Sequence, residues 1–291
     1  MEMFGICNLS IVPCRKEPSD KSEMVTQLLF GEHFEVLEEK KSWILIRIAY
    51  DGYECWIDKK QFLPLNDIKG INDSNTAVTT DLVQLASPLR RSPLEPLRQS
   101  TESVFQRTES PFGQLSSKER EQIQIPILLG SSLPKYSGKE FSLGKEKFSF
   151  EGEAILPFAK SKSPSLGGVG EAAKWYLNAP YLWGGRSPFG LDCSGFTQMI
   201  FKLNGIKLKR DAYQQAEQGA TLSFLEEAKE GDLAFFDNEE GKIVHVGIIL
   251  EKEKIIHASG KVRIDKLDHH GIYNEEMKKY THRLRVIKHF L

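Results

Sequence analysis

Cys193, His245 and His257 are the residues whose types and spacing point to chemistry. Cys193 follows the turn-prone Ser187-Pro188-Phe189-Gly190 and opens an amphipathic run, with Phe196, Met199, Ile200 and Leu203 at i, i+3, i+4 and i+7. Asp192 is placed to cap that helix, so the thiol falls in the first turn among unpaired backbone N–H groups. Such a site favours a thiolate, lowers the thiol pKa and offers donors to an oxyanion. A buried structural cysteine fits the same pattern. His245 lies in the apolar strand Ile243–Leu250 and His257 in the strand Lys254–Ala258, beyond a turn at Glu251 to Glu253. An imidazole in a Val/Ile run is ordinarily a satisfied core residue. The two rings share a face only if the connection is odd or bulged, because side chains alternate along a strand. Granted that, nucleophile, base and base-orienting group can line up.

The other candidates carry less. His269, His270 and His282 sit among charges and are expected at the surface, while His33 and His289 show no partner. Cys7, Cys14 and Cys55 lack the spacing of a zinc site, and no glycine-rich phosphate loop is present. Neither a metal nor a cofactor is expected.

The elements that must position these residues fall into three stretches. A length of 291 residues against about 150 per domain gives two domains, with room for three small ones. With 40% hydrophobic residues the chain can build ordinary cores, which excludes a disordered or fibrous protein. Thirty-nine Lys and Arg against 40 Asp and Glu leave a net charge of −1, so neither nucleic acid nor a membrane surface is an expected partner. No apolar run approaches the roughly 20 residues of a membrane helix. The first residues lack a basic region followed by an apolar one, and four cysteines are too few for a disulfide framework. A cytoplasmic location is therefore expected.

Residues 1–66 read as a small β-barrel. Phe34 to Leu37 and Trp43 to Ile48 are strands, Asp51-Gly52 turns, Tyr53 to Ile57 returns, and Pro64 and Asn66 break the pattern. Residues 67–158 read as a second small β domain with strands at Thr79–Leu85, Ile125–Leu129, Glu140–Leu143 and Lys147–Phe150. It is interrupted by a polar insertion at about 87–124, rich in Pro and Arg and read as a solvated loop. Residues 159–291 turn to helices at Glu171–Leu177 and 193–204, then to strands at Gly231–Phe236, Ile243–Leu250, Lys254–Ala258 and Arg283–Ile287. The class is α+β.

Pro180-Tyr181-Leu182-Trp183-Gly184-Gly185 with Leu191-Asp192-Cys193-Ser194-Gly195-Phe196 resembles the catalytic signature of the NlpC/P60 cysteine peptidases, as do His245-Val246-Gly247-Ile248 and Ile256-His257-Ala258-Ser259. Ser22-Glu23-Met24-Val25 to Phe30-Gly31-Glu32, then Asp51-Gly52-Tyr53 to Trp56-Ile57, is similar to a bacterial SH3 domain. The layout resembles the murein-recycling γ-D-glutamyl-L-diamino-acid endopeptidases, in which two SH3-like barrels precede a papain-like domain. The resemblance implies Cys193 as nucleophile, His245 as base and His257 as its orienter, with Tyr181 beside the thiolate. It implies Trp183, Asp192, Ser194 and Asp211 as pocket residues. Tyr53 and an acidic partner, Glu23 in preference to Glu32, would receive the ammonium of a free N-terminal L-Ala. Ala212 stands where relatives carry serine, and Cys55 where they carry glycine. Tyr53 and Trp56 also suit the inside of a barrel. The implied substrates are murein-derived L-Ala-γ-D-Glu-diamino acid peptides. The rival readings are an endopeptidase or amidase of intact peptidoglycan, and a wall-peptide-binding SH3 protein with a vestigial catalytic domain.

Overall fold

The computed structural model describes residues 3–89, 123–159, 166–251 and 253–290. Most of the 87–124 insertion, with Arg90, Arg91, Arg98 and Arg107, lies outside the described residues.

Seven strands build the first sheet: β1 (Met3–Ile6), β2 (Ile11–Arg15), β3 (Met24–Leu29), β4 (His33–Lys40), β5 (Trp43–Ile48), β6 (Glu54–Asp58) and β7 (Leu63–Leu65). Their order is β3-β2-β6-β5-β4-β1-β7. Alternation buries Val12, Cys14, Ile44, Ile46, Ile48 and Cys55 on one face. Cys55 packs in that core, and Gly52, at φ +77, makes the turn before it. Pro64 does not end the pattern as expected. It sits in β7, at the edge of the sheet, where a missing N–H costs no ladder bond.

The second region has two sheets around Phe141, Phe148, Phe150 and Ile127. Its strands are β8 (Ala77–Thr79), β9 (Val83–Pro88), β10 (Ile125–Leu128), β11 (Ser132–Leu133), β12 (Glu140–Leu143), β13 (Glu146–Phe150) and β14 (Ala154–Ile155). The single strand expected at Thr79–Leu85 is two, β8 and β9, and they belong to different sheets.

In the third region, helices α1 (Val169–Lys174), α2 (Cys193–Leu203) and α3 (Ala212–Gln215) and the small hairpin β15 (Arg186–Ser187) and β16 (Gly190–Leu191) precede the main sheet. That sheet contains β17 (Ala220–Leu222), β18 (Leu233–Asp237), β19 (Ile243–Glu251), β20 (Lys254–Ser259), β21 (Lys261–Asp268), β22 (Gly271–Asn274) and β23 (Lys279–His289). Strand β23 pairs with both β18 and β22, so β18 to β23 close into a six-stranded barrel. Period-2 alternation then sorts the side chains. Phe235, Val246, Ile248, Ile256 and Ala258 pack outward on α2, and Ala234, Phe236, Ile249, Ile255, Leu267 and Ile272 fill the interior. Leu29 of the first sheet and Val78 and Leu129 of the second region share the α2 core, which ties all three regions together. The α+β class with SH3-like strands ahead of the helical region is as expected.

Candidate active site

Asp192 caps α2 with extended backbone, φ −91 and ψ 178, and its Oδ1 accepts the Gly195 N–H at 2.6 Å. Its Oδ2 accepts the Gly184 N–H at 2.9 Å and the Arg210 guanidinium at 2.7 Å. Glycine is required at two of these positions. A Cβ at Gly195 would stand 2.2 Å from the Gly185 carbonyl oxygen, and one at Gly184, φ +75, 2.2 Å from that of Met24 in β3. The Trp-Gly-Gly and Asp-Cys-Ser-Gly segments are thereby fitted to each other and to the first sheet.

The thiol at the head of α2 is buried. Burial pushes it up to about 12, the charge of Asp192 adds to this, and the N–H groups of Val246 and Ser194 and the Arg210 charge only partly oppose it. The shift runs opposite to the lowering expected from the helix end, with desolvation as its largest cause.

The two histidines do share a face. Gly247 pairs with His257 across β19 and β20, and a bulge between Ile249 and Glu251 supplies the required change of parity. His245 Nε2 lies 2.8 Å from His257 Nδ1, and His257 Nε2 lies 3.0 Å from Asp265 Oδ2 in β21. Arg263 donates to both carboxylate oxygens of Asp265, at 2.8 and 2.9 Å. Burial alone would raise the Asp265 pKa, but His257 and Arg263 outweigh it and hold the carboxyl below its usual range. An ionised carboxylate only accepts, so His257 Nε2 carries its proton and Nδ1 accepts. His245 Nε2–H must then donate, which leaves a lone pair on His245 Nδ1. Burial, and then the neighbouring His257 and His282, hold His245 well below its ordinary value, so the ring is neutral at pH 7. The sulfur meets the N–H of Val246, so the peptide joining His245 to Val246 abuts the thiol.

A cleft of about 530 Å³ opens onto Cys193. All the expected pocket residues line it: Tyr181, Trp183, Asp192, Ser194 and Asp211 from the third region, and Glu23 and Tyr53 from the first. They differ in freedom. Asp192 is committed to the cap and to Arg210, and Ser194 Oγ accepts from Arg210 at 2.9 Å and donates to Asp192. Trp183 Nε1 donates to Glu23 Oε1 at 2.7 Å. The Tyr53 hydroxyl donates to Asp211, whose pKa is raised, chiefly by burial. Glu32 is elsewhere, buried against Arg186 and Lys202. Tyr53 faces the cleft, whereas Trp56 is buried in the barrel wall.

Sequence reasoning missed three groups. Arg210 is a buried guanidinium joining Asp192 to Thr26 Oγ1 of β3 at 2.8 Å, across the boundary between regions. Asp265 belongs to a strand that was not expected, although the turn at Gly260 could have revealed it: folding the chain back there sets Ile255 opposite Asp265. His282, expected at the surface, is half-buried and stacks on His245 with ring centroids 4.1 Å apart. His289 likewise has a partner, Asp232, at 2.7 Å.

Residues 178–285 match the model of the NlpC/P60 family, and residues 14–62 that of the bacterial dipeptidyl-peptidase Sh3 domain. The chain is 30% identical to the gamma-D-glutamyl-L-lysine dipeptidyl-peptidase of Bacillus subtilis, over 88% of this chain and 75% of that one. It is 26% identical to dipeptidyl-peptidase 6 of Lysinibacillus sphaericus, over 90% and 91%. Its fold is that of an NlpC/P60 family protein from Bacillus cereus, with a TM-score of 0.72, 18% identity and 99% of each chain covered. Kinship at this identity and coverage settles the family: the chain belongs to the NlpC/P60 family and is a cysteine-type peptidase.

Proposed function

We propose that this peptidase hydrolyses the γ-D-glutamyl–diamino acid bond of murein-derived stem peptides with a free N-terminal L-Ala, in cytoplasmic recycling of cell-wall peptides. The observation that carries the reading is the wall of the cleft. Glu23 and Tyr53 from the first region line the same cleft as Asp211 and Cys193, so the cleft carries carboxylates and an aromatic face. An ammonium leaving water requires such partners, and an N-acyl group offers them no charge. In this reading the first region covers one end of the cleft and excludes a longer chain. The names of the relatives from Bacillus subtilis and Lysinibacillus sphaericus support a dipeptidyl-peptidase.

In this reading the resting pair is a neutral thiol and a neutral imidazole. As Sγ attacks the γ-glutamyl carbonyl carbon, its proton passes to His245 Nδ1, and the resulting imidazolium is stabilised through His257 by Asp265. Tyr181 and the first N–H groups of α2 face the developing oxyanion. Collapse expels the diamino acid amine, which takes the proton back from His245. Water then hydrolyses the thioester with His245 again as base, releasing L-Ala-D-Glu.

The test pairs L-Ala-γ-D-Glu-meso-diaminopimelate with its N-acetylated form, products being read by mass spectrometry, with Cys193→Ala as the blank. Cleavage of the free peptide alone is expected. Cleavage of both would indicate a hydrolase of intact wall, and cleavage of neither would overturn the diaminopimelate stem peptide as substrate.

A further inference from the structure

His245, His257 and His282 come from three strands, and each offers a ring nitrogen within 4.8 Å of the others. The relay uses two of them; the third has no part in proton transfer. Two features around the cluster are those of a metal site. First, the outward nitrogens are already held: His257 Nε2 by the Asp265 carboxylate at 3.0 Å, and His282 Nδ1 by the Thr281 hydroxyl at 2.9 Å. A carboxylate or hydroxyl on the far nitrogen is how proteins orient imidazole ligands. Second, there is a way in. A cavity of about 740 Å³ is lined by His282, Thr281, Asp237 and Glu239, and Val244 lines both it and the catalytic cleft.

We propose that His245, His257 and His282 bind a divalent cation of the zinc type, and that occupancy switches the peptidase off. Three neutral imidazoles with one open position suit Zn²⁺. Bonds of about 2.0–2.1 Å set ligand nitrogens roughly 3.3 Å apart, so the His245–His257 pair would open from 2.8 Å and His282 would draw in from within 4.8 Å. The inhibition follows from the tautomers. Metal on His245 Nε2 takes the lone pair there, and the single N–H proton of that ring moves to Nδ1. The nitrogen that accepts the thiol proton then bears one of its own, and the base is lost. No proton, electron or further reactant is needed.

The proposal rests on the histidine geometry and not on the identity of the peptide substrate, so its first test uses none. Titration of Cys193→Ala with Zn²⁺ by calorimetry should show one tight site per chain, and Co²⁺ should give the visible bands of a tetrahedral ion. Replacing His282 in that background, His282→Phe to keep a stacked ring, should weaken binding about 10- to 100-fold. Retained binding in the His282→Phe protein, or no stoichiometric site, overturns the proposal. With Cys193 present, Co²⁺ should give no sulfur-to-cobalt charge-transfer band. Such a band means the ion sits on the thiol instead, and it also overturns the proposal.

Discussion

Two buried polar clusters lie in this molecule, and they are finished differently. Between the first sheet and the catalytic region, Glu32 accepts from Arg186 at 2.9 and 3.0 Å, from Lys202 at 2.8 Å and from the Leu29 N–H at 3.0 Å. Lys202 donates its remaining protons to the Gly130 carbonyl and Ser132 Oγ. This cluster is ionic throughout and nearly closed, Arg186 Nε being its one buried donor without a partner. The histidine relay is charged only at its Arg263–Asp265 end and fades to a neutral ring with one open nitrogen. A nearly closed ionic cluster fixes positions, because all but one of its donors have a single acceptor within reach. An open, mostly neutral relay can pass a proton, because its last acceptor is unspent. The first joins the first sheet to β15 and α2, and the second performs the chemistry in the mechanism proposed above.

The largest expected effect is on the closed cluster. Glu32→Ala strands two buried cations and should lower unfolding free energy by about 3–5 kcal/mol in a denaturant titration. The pH dependence has a definite sign. Burial alone would raise the Glu32 pKa, but Arg186 and Lys202 outweigh it and hold it at about 2, against 4.5 in the ordinary carboxyl. Its contribution is complete above about pH 4.5 and is lost as pH falls toward 2. Wild-type-like unfolding of Glu32→Ala would remove the distinction between the clusters.

Asp265→Asn acts on the open cluster and should leave unfolding nearly unchanged. An amide nitrogen can donate to His257 Nε2, which reverses both tautomers and puts a proton on His245 Nδ1. A fall in kcat of about 100-fold is expected, some 2.7 kcal/mol, with little change in KM. In the unaltered enzyme the depressed His245 pKa sets the acid limb of kcat/KM below pH 6.5, since activity fails where that ring is protonated. With the thiol pushed up to about 12, no alkaline limb from Cys193 is expected between pH 7 and about 10. An acid limb at or above the ordinary imidazole value would contradict a neutral resting pair.

The difference between the clusters also marks what sequence can reveal. Cys193, His245 and His257 were legible because each stands in a local pattern: a capped amphipathic run, and two apolar strands joined by a short turn. The bulge that aligns the rings was a stated condition, not a reading, since nothing in Glu251 to Glu253 fixes parity. Asp265 and His282 were hidden because charged neighbours such as Arg263, Lys266 and Arg283 made their strands resemble surface. Those strands face solvent on one side and the barrel interior on the other, and only closure of the barrel brings the second face inside. Arg186, Arg210 and Lys202 were unreadable for a related reason. A lone cation is ordinarily solvated, and its burial becomes possible only when a distant segment supplies Glu32 or Asp192.

Glu23 gives the smallest effect and the sharpest form of the comparison, because it is the same residue type as Glu32 and lies nine positions away in the same sheet region. Its carboxylate is about 40% exposed, with Lys16 at 3.4 Å and Trp183 at 2.7 Å, and it lines the cleft. A half-exposed carboxylate contributes about 1 kcal/mol to a charge partner, so Glu23→Gln should raise KM for the free peptide roughly fivefold. Unfolding should stay as in the wild type, the reverse of Glu32→Ala. The Trp183 N–H keeps an acceptor in the glutamine, so the variant removes the charge and retains the hydrogen bond. Raising salt should narrow the gap between the two proteins, because an exposed pair is screened. A gap that persists in high salt would mean that Glu23 holds Trp183 in place and does not attract the ammonium.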